Sequence, residues 1–244
     1  MDNRESREVR HGQKLAQTNP ETVWGWNSPA GVIRAKRRAA MISASAHLDG
    51  AKRVLEIGCG TGLFTELFFK AGPETIVAVD ISPELLAIAQ KRSLPSNRVI
   101  FKCIRFEELE KTEPFDAVVG SSVLHHLVMP DSLLTMARLM RSGAYLCFTE
   151  PNMLNPQIAL QKNIPWLKWM MGDSPDEKAF FRWQLAKTLE TSGFTNITIK
   201  PFDWLHPATP PRLIRVVRAM GIFMEKMPFL REFAGSLCIS AKKS

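Results

Sequence analysis

Three glycines at alternate positions, Gly58, Gly60 and Gly62 in LEIGCGTGLFT, follow directly on an acid, Glu56. Glycine permits positive φ and carries no Cβ, so such a turn bends sharply and lets backbone lie against a ligand. A helix opening at Leu63 would point unpaired N–H groups at the same place. Dinucleotide-binding turns space their glycines G-x-G-x-x-G and receive a pyrophosphate. Here the spacing is G-x-G-x-G, and Glu56 would repel a diphosphate while suiting a cation such as a sulfonium or an amine. Asp80 closes the β-branched run TIVAVD, at the distance beyond Gly60 where doubly wound folds keep a ribose-binding carboxylate, and Ile81 beside it would cover an adenine face. The simpler reading of Asp80 is an Asx turn, but Ser82 and Pro83 already supply a cap and a first helical residue, which leaves Asp80 for ligand. For proton transfer near neutral pH the candidates are His125, His126 and His206, the last with Asp203 near enough in sequence to orient its ring.

These residues need a frame. Strands are expected near 53–57, 75–80, 98–103, 115–120, 143–149, 195–200 and 236–241, and helices near 62–71, 83–92, 131–141 and 178–192. Such βαβ alternation implies a parallel sheet with helices on both faces, which binds ligands outside the C-terminal strand ends. Glu56, Asp80, Ser121 and Glu150 all fall at such ends.

On VLEIGCGTG, VAVDIS and PFDAVVGSSVLHHL the chain resembles the class I S-adenosylmethionine-dependent methyltransferases, over roughly Lys52 to Glu150. The resemblance implies an α/β, Rossmann-like doubly wound sheet of seven strands, mostly parallel with one antiparallel strand, plus helical cap insertions. It implies S-adenosyl-L-methionine as cofactor and S-adenosyl-L-homocysteine as product. By the same resemblance Glu56, Gly58, Gly60 and Gly62 line the methionine part of the donor, Asp80 holds the ribose, Ile81 meets the adenine and Ser121 sits beside the transferable methyl. Many members carry an acid after the third strand to bind the adenine amine; CIRFEEL offers Arg105 or Phe106 there instead. In this class the second histidine of the HH pair is frequent even where no base is needed, which makes His126 structural more readily than catalytic, and His125 similarly. His206 is a base or a turn histidine before Pro207, and Glu150 orients acceptor or base, or anchors the turn at Asn152. The run GSSVLHH lacks the [D/N/S]-P-P-[Y/F] of enzymes that methylate base amines, which disfavours a nucleic-acid acceptor. A small or lipid-like molecule, methylated at oxygen, is expected; an RNA methyltransferase and a non-catalytic donor-binding module are the alternatives.

The 244 residues, 45% hydrophobic and 23% charged, suit one soluble domain, and the net charge of +8 admits an acidic substrate, nucleic acid or an anionic membrane. Residues 1–48 read as an extension or lid, in which Trp24 and Trp26 either pack the segment down or touch substrate. The RAKRR run, Arg34 to Arg38, reads as a solvated helix face. Residues 49–244 form the domain proper, with cap insertions at about 151–177 and 201–235. The second insertion contains PPRLIRVVRAMGIFMEKM, whose arginines recur at helical spacing opposite apolar residues and make peripheral membrane contact a further expectation. Cys59, Cys103, Cys147 and Cys238 have no metal-ligand spacing and read as buried free thiols. With a polar opening segment and no apolar run of membrane-spanning length, a bacterial-type cytoplasm is expected.

Overall fold

The computed structural model describes residues 3–109, 112–164, 166–167 and 178–244. Seven strands form one sheet: β1 Arg53–Ile57, β2 Thr75–Asp80, β3 Val99–Cys103, β4 Phe115–Ser121, β5 Met140–Pro151, β6 Phe194–Phe202 and β7 Ser236–Lys243, in the order β3-β2-β1-β4-β5-β7-β6. β7 runs antiparallel to both neighbours and every other pair is parallel, the doubly wound arrangement expected. The order reverses at β1 and β4, so the loops leaving these two strands diverge to opposite sides and open a crevice between them.

Alternation along β1 shows why this sheet must be covered twice. Val54 faces α3 (Pro29–Ser45), α4 (Leu63–Phe69) and α5 (Pro83–Ala89), packed with Ile42, Phe68 and Leu86. Leu55 and Ile57 face the other way, toward α6 (Asp131–Leu139) and α8 (Arg182–Thr191), with Leu133, Met136, Leu185 and Leu189. Strands buried on both faces are characteristic of parallel sheets, because the crossover helices lie on either side.

Helix starts follow a short local rule. Asn19-Pro20, Ser28-Pro29, Ser82-Pro83 and Asn155-Pro156 open α2 (Pro20–Val23), α3, α5 and α7 (Pro156–Asn163), and each first residue accepts a backbone N–H three positions on, at 3.2, 2.9, 3.3 and 3.1 Å. The side chain satisfies an orphan donor while proline supplies the helical φ and lacks an N–H that would be unpaired anyway.

β6 and β7 pair directly, with Phe202 opposite Ser236, although 203–235 intervenes. That insertion leaves and returns at one point of the sheet, where Gly235 N–H donates to the Asp203 carbonyl at 2.9 Å, and carries α9 (Ile214–Met224). The insertion after β5 is described through α7; residues 165 and 168–177 of the expected 151–177 cap lie outside the described residues, as do Met1 and Asp2 of the extension. Cys59, Cys147 and Cys238 are buried free thiols, whereas Cys103, at the end of edge strand β3, is exposed and corrects the expectation that all four are covered.

Phe148 has no exposed surface and fills the space against Gly120, where a Cβ would come within 2.6 Å of its ring. Phe148→Ala is expected to cost about 3–5 kcal/mol, measured as a lower denaturation midpoint at unchanged denaturant slope.

Candidate functional site

The glycine turn is held from two directions. Gly58 and Cys59 donate to the Val79 carbonyl at 2.9 and 3.1 Å, and Gly60 donates to Asp80 Oδ2 at 2.8 Å while Ser82 donates to Asp80 Oδ1 at 2.9 Å. Asp80 therefore keeps the Asx-turn role and still faces the cleft, since each carboxylate oxygen has a second lone pair to offer. Burial raises its pKa, and the N–H groups of Ser82, Gly60 and Ile81 oppose that rise.

The three glycines differ in purpose. All have positive φ, at 67°, 51° and 74°. A Cβ on Gly58 would strike Val123 at 2.5 Å, and one on Gly62 would press on Ala89 and Arg92 at 3.0 and 3.1 Å. A Cβ on Gly60 would meet only Trp24, at 3.5 Å, across the cleft. Backbone is thus bared to the cleft at Gly60, while Cβ atoms at Gly58 and Gly62 would collide with neighbouring side chains.

A cleft of about 1190 Å³ opens above these strand ends. Its walls include Gly58, Gly60, Asp80, Ile81 and Ser121, and on the β3 side Arg105 and Phe106. His125, His126 and His206 reach it as well. Gly62 does not, being turned onto α5, and neither does Glu56. Glu56 pairs in register with Ala78 and Val119, and strand alternation sends its side chain to the α3 and α4 face beneath the turn. There it is 1% exposed, its Oε2 has no hydrogen-bond partner among the described residues, and burial pushes its pKa up to about 8. Glu56 and Gly62, expected beside the methionine part of a donor, are thus not among the residues that line the cleft.

The β4 end carries a second built feature. Ser122, at φ 58°, reverses the chain so that Val123 and Leu124 donate to Glu150 Oε1, each at 2.8 Å. The other oxygen, Oε2, lies 2.6 Å from His125 Nδ1. Glu150 is completely buried, and His125 is among the residues that line the cleft. Ser121 meets Thr149 through their hydroxyls at 2.9 Å, in register across β4 and β5.

His206 is differently placed from the sequence expectation. Asp203 does not orient it; that carboxylate takes Arg34 Nε at 2.9 Å and lies 3.5 Å from Arg38. His206 Nδ1 accepts from Ala208 N–H at 3.1 Å and Nε2 meets the Gln157 amide at 3.1 Å, so both ring nitrogens are engaged in joining two loops. Burial, then Arg34, lowers its pKa.

Three segments roof the cleft and hold one another. Glu21 accepts from Thr61 Oγ1 at 2.8 Å and pairs with Arg92, which also donates to the Thr61 carbonyl at 2.7 Å and so fastens the extension to the glycine turn. Ser28 Oγ donates to the Pro207 carbonyl at 2.8 Å, and Gln157 meets His206. Trp24 and Trp26 both line the cavity, Trp26 edge-on to Phe64 and flanked by the guanidinium groups of Arg34 and Arg38.

The RAKRR run is not a solvated face. Arg38 is 4% exposed, donates to Ser122 Oγ at 3.3 Å and to Ser236 Oγ, and has its pKa pulled down to about 10 by burial and by neighbouring Arg34. Arg37 forms a two-pronged pair with Glu225 at 2.8 and 2.5 Å. A signal for this exists in the sequence: Gly31, Ala35, Arg38 and Ile42 are spaced four, three and four apart, and all four positions are buried.

A methyltransferase-domain family profile matches residues 32–199. Ubiquinone biosynthesis O-methyltransferase of Burkholderia pseudomallei (strain 1710b) is 34% identical over 177 residues, 70% of this chain and 75% of that enzyme. The enzyme of the same name from Xanthomonas oryzae pv. oryzae (strain PXO99A) is 32% identical over 142 residues, 56% of this chain, and the match spans 59% of that enzyme's length. Among solved structures, the N-methyltransferase NodS from Bradyrhizobium japonicum WM9, in complex with S-adenosyl-L-homocysteine, has a TM-score of 0.64, 15% identity, and coverage of 96% of this chain and 97% of that one; this is a likeness of fold.

Because the folded-state pKa of Glu56 stands near 8 against 4.5 for an ordinary carboxyl, its contribution to stability is fully present below pH 4.5 and is lost as pH rises toward 8. Glu56→Gln, which cannot ionise, is expected to flatten the fall in unfolding free energy between pH 5 and pH 8, the two ends of an ordinary denaturation series at about neutral pH.

Proposed function

We propose that this chain, which belongs to the S-adenosylmethionine-dependent methyltransferase family, methylates an oxygen of a small or lipid-like acceptor with His125 as the base. The observation that carries this reading is the His125–Glu150 pair at the wall of the cleft. The name of the relatives, ubiquinone biosynthesis O-methyltransferase, agrees with oxygen as the acceptor atom and with a lipid-like aromatic as its class.

The site has features suited to the donor: bare backbone at Gly60, a carboxylate with spare lone pairs at Asp80, and Ile81 and Phe106 as apolar surfaces. S-adenosylmethionine supplies an electrophilic sulfonium methyl and leaves as S-adenosylhomocysteine. A volume of about 1190 Å³ exceeds the usual range for a single small-ligand pocket, roughly 300–1,000 Å³, and accommodates an acceptor besides the donor. Residues 1–48 and the insertions at about 151–177 and 201–235 serve as lid and caps, excluding water from the exchange.

In this mechanism the chain's task is to orient the acceptor and take its proton. Glu150, anchored by two N–H groups, keeps His125 in the tautomer with Nε2 free of hydrogen. As the new carbon–oxygen bond forms, the hydroxyl proton passes to Nε2, and Glu150 stabilises the imidazolium that results. His206 belongs to the cap closure rather than to proton transfer. An RNA acceptor loses support, since Arg34, Arg37 and Arg38 are engaged within the fold instead of forming a basic stripe. The free cysteines fit a reducing, cytoplasmic compartment, and no helix among the described residues is long and apolar enough to cross a membrane.

The test is methyl transfer from labelled S-adenosylmethionine to a series of catechols with and without an alkenyl chain, read by mass spectrometry. His125→Gln is expected to lower kcat by about 10²–10⁴, with S-adenosylhomocysteine binding unchanged in calorimetry. Glu150→Gln is expected to lose rate as well, because an amide donor facing Nδ1 selects the tautomer whose Nε2 carries hydrogen. A His125→Gln enzyme with the parent rate and pH profile would remove this residue from the chemistry.

Asp80→Ala tests the donor end separately. It removes the acceptor of the Gly60 N–H along with the group assigned to the ribose, and is expected to weaken S-adenosylhomocysteine binding by about 1–3 kcal/mol. Undiminished affinity would place the ribose elsewhere.

A further inference from the structure

Helix α9 meets the domain along a narrow stripe. Ile214 and Gly221 are buried and Val217 half-buried, packed on Ala30, Ile33, Leu205 and Trp204. A second stripe, Leu213, Val216, Met220, Phe223 and Met227, has the same three-and-four spacing but lies open, with Val216, Met220 and Phe223 57%, 58% and 64% exposed. Phe229, in the turn beyond, is 86% exposed. A soluble monomer rarely presents so many large apolar side chains together without a partner for them.

Charge says which partner. The insertion 201–235 contains three acids, Asp203, Glu225 and Glu232, and each is taken up by an arginine: Arg34 and Arg38, Arg37, and Arg182 with Arg231, respectively. Arg212, Arg215, Arg218 and Lys226, on or beside α9, are exposed and have no carboxylate partner among the described residues. The outward face of the insertion is therefore apolar and purely basic. A second copy docked on this face by a two-fold axis would set one purely basic surface against another, with no acid to pair them. An anionic bilayer offers hydrocarbon for the stripe and phosphate for its flank.

We propose that α9 and the turn after it are a peripheral docking surface for an anionic membrane, the helix lying in the interface with Val216, Met220, Phe223 and Phe229 toward the acyl chains and Arg212, Arg215, Arg218 and Lys226 at the headgroups. None of these eight side chains is assigned a part in the cleft, so the surface stands or falls apart from the proposed chemistry.

The experiment is flotation of the full chain with vesicles of phosphatidylcholine alone or mixed with phosphatidylglycerol. Retention is expected on the mixed vesicles only, falling at least about tenfold at high salt, as screening of headgroup charge requires. Two variants are expected to abolish it: Val216→Ser with Phe223→Ser and Phe229→Ser, and Arg212→Gln with Arg215→Gln and Arg218→Gln. Because all six positions are exposed, an unchanged circular dichroism spectrum and melting temperature are expected of both. Failure of the parent protein to float with the mixed vesicles overturns the proposal, as does retention of either variant at the parent level. Sedimentation as a dimer that the serine variant dissolves, without vesicle binding, assigns the face to a second copy and also overturns it.

Discussion

A fully buried carboxylate cannot be left unpartnered, and Glu150 meets that constraint by organising everything around the end of β4. Its two oxygens take two backbone N–H groups and one imidazole, and the backbone reaches them only because Ser122 adopts a left-handed conformation. Such a conformation costs of order 1–3 kcal/mol and persists where surrounding bonds over-determine it. Here the Ser122 N–H holds the Thr149 carbonyl at 2.8 Å, and Arg38 reaches Ser122 Oγ. One buried charge thus sets the loop path, the imidazole orientation and the seat of an arginine from a distant helix.

The roof of the cleft is held by charge together with a small apolar cluster of Ala30, Ile33, Leu205, Ile214 and Val217. Arg92 joins the extension to α4 through Glu21 and Glu66, and α3 spends three arginines on the second insertion. These pairs are partly or wholly buried, so loss of one partner leaves a charge uncompensated and costs more than the pair itself contributes. The second insertion turns Leu205, Ile214 and Val217 inward and leaves Val216, Met220 and Phe223 outward.

The glycine turn, the acid after β2, the strand order of types and the Ser-Pro helix starts depend on residues a few positions apart, and the sequence alone determined them. Local sterics and capping decide such features before any distant segment arrives. Strand alternation was also available in principle, and it would have sent Glu56 away from the ligand, as would the four-three-four spacing that buries Arg38. Tertiary structure decided the rest: that Asp203 serves Arg34 and not His206, that His125 and not His206 has a carboxylate behind it, and which face of α9 stays open. Each of those outcomes joins residues far apart in the chain, where several carboxylates and several cations compete for one another and composition cannot rank the pairings. Only the closed fold fixes the distances, and with charges the distance decides which pair forms.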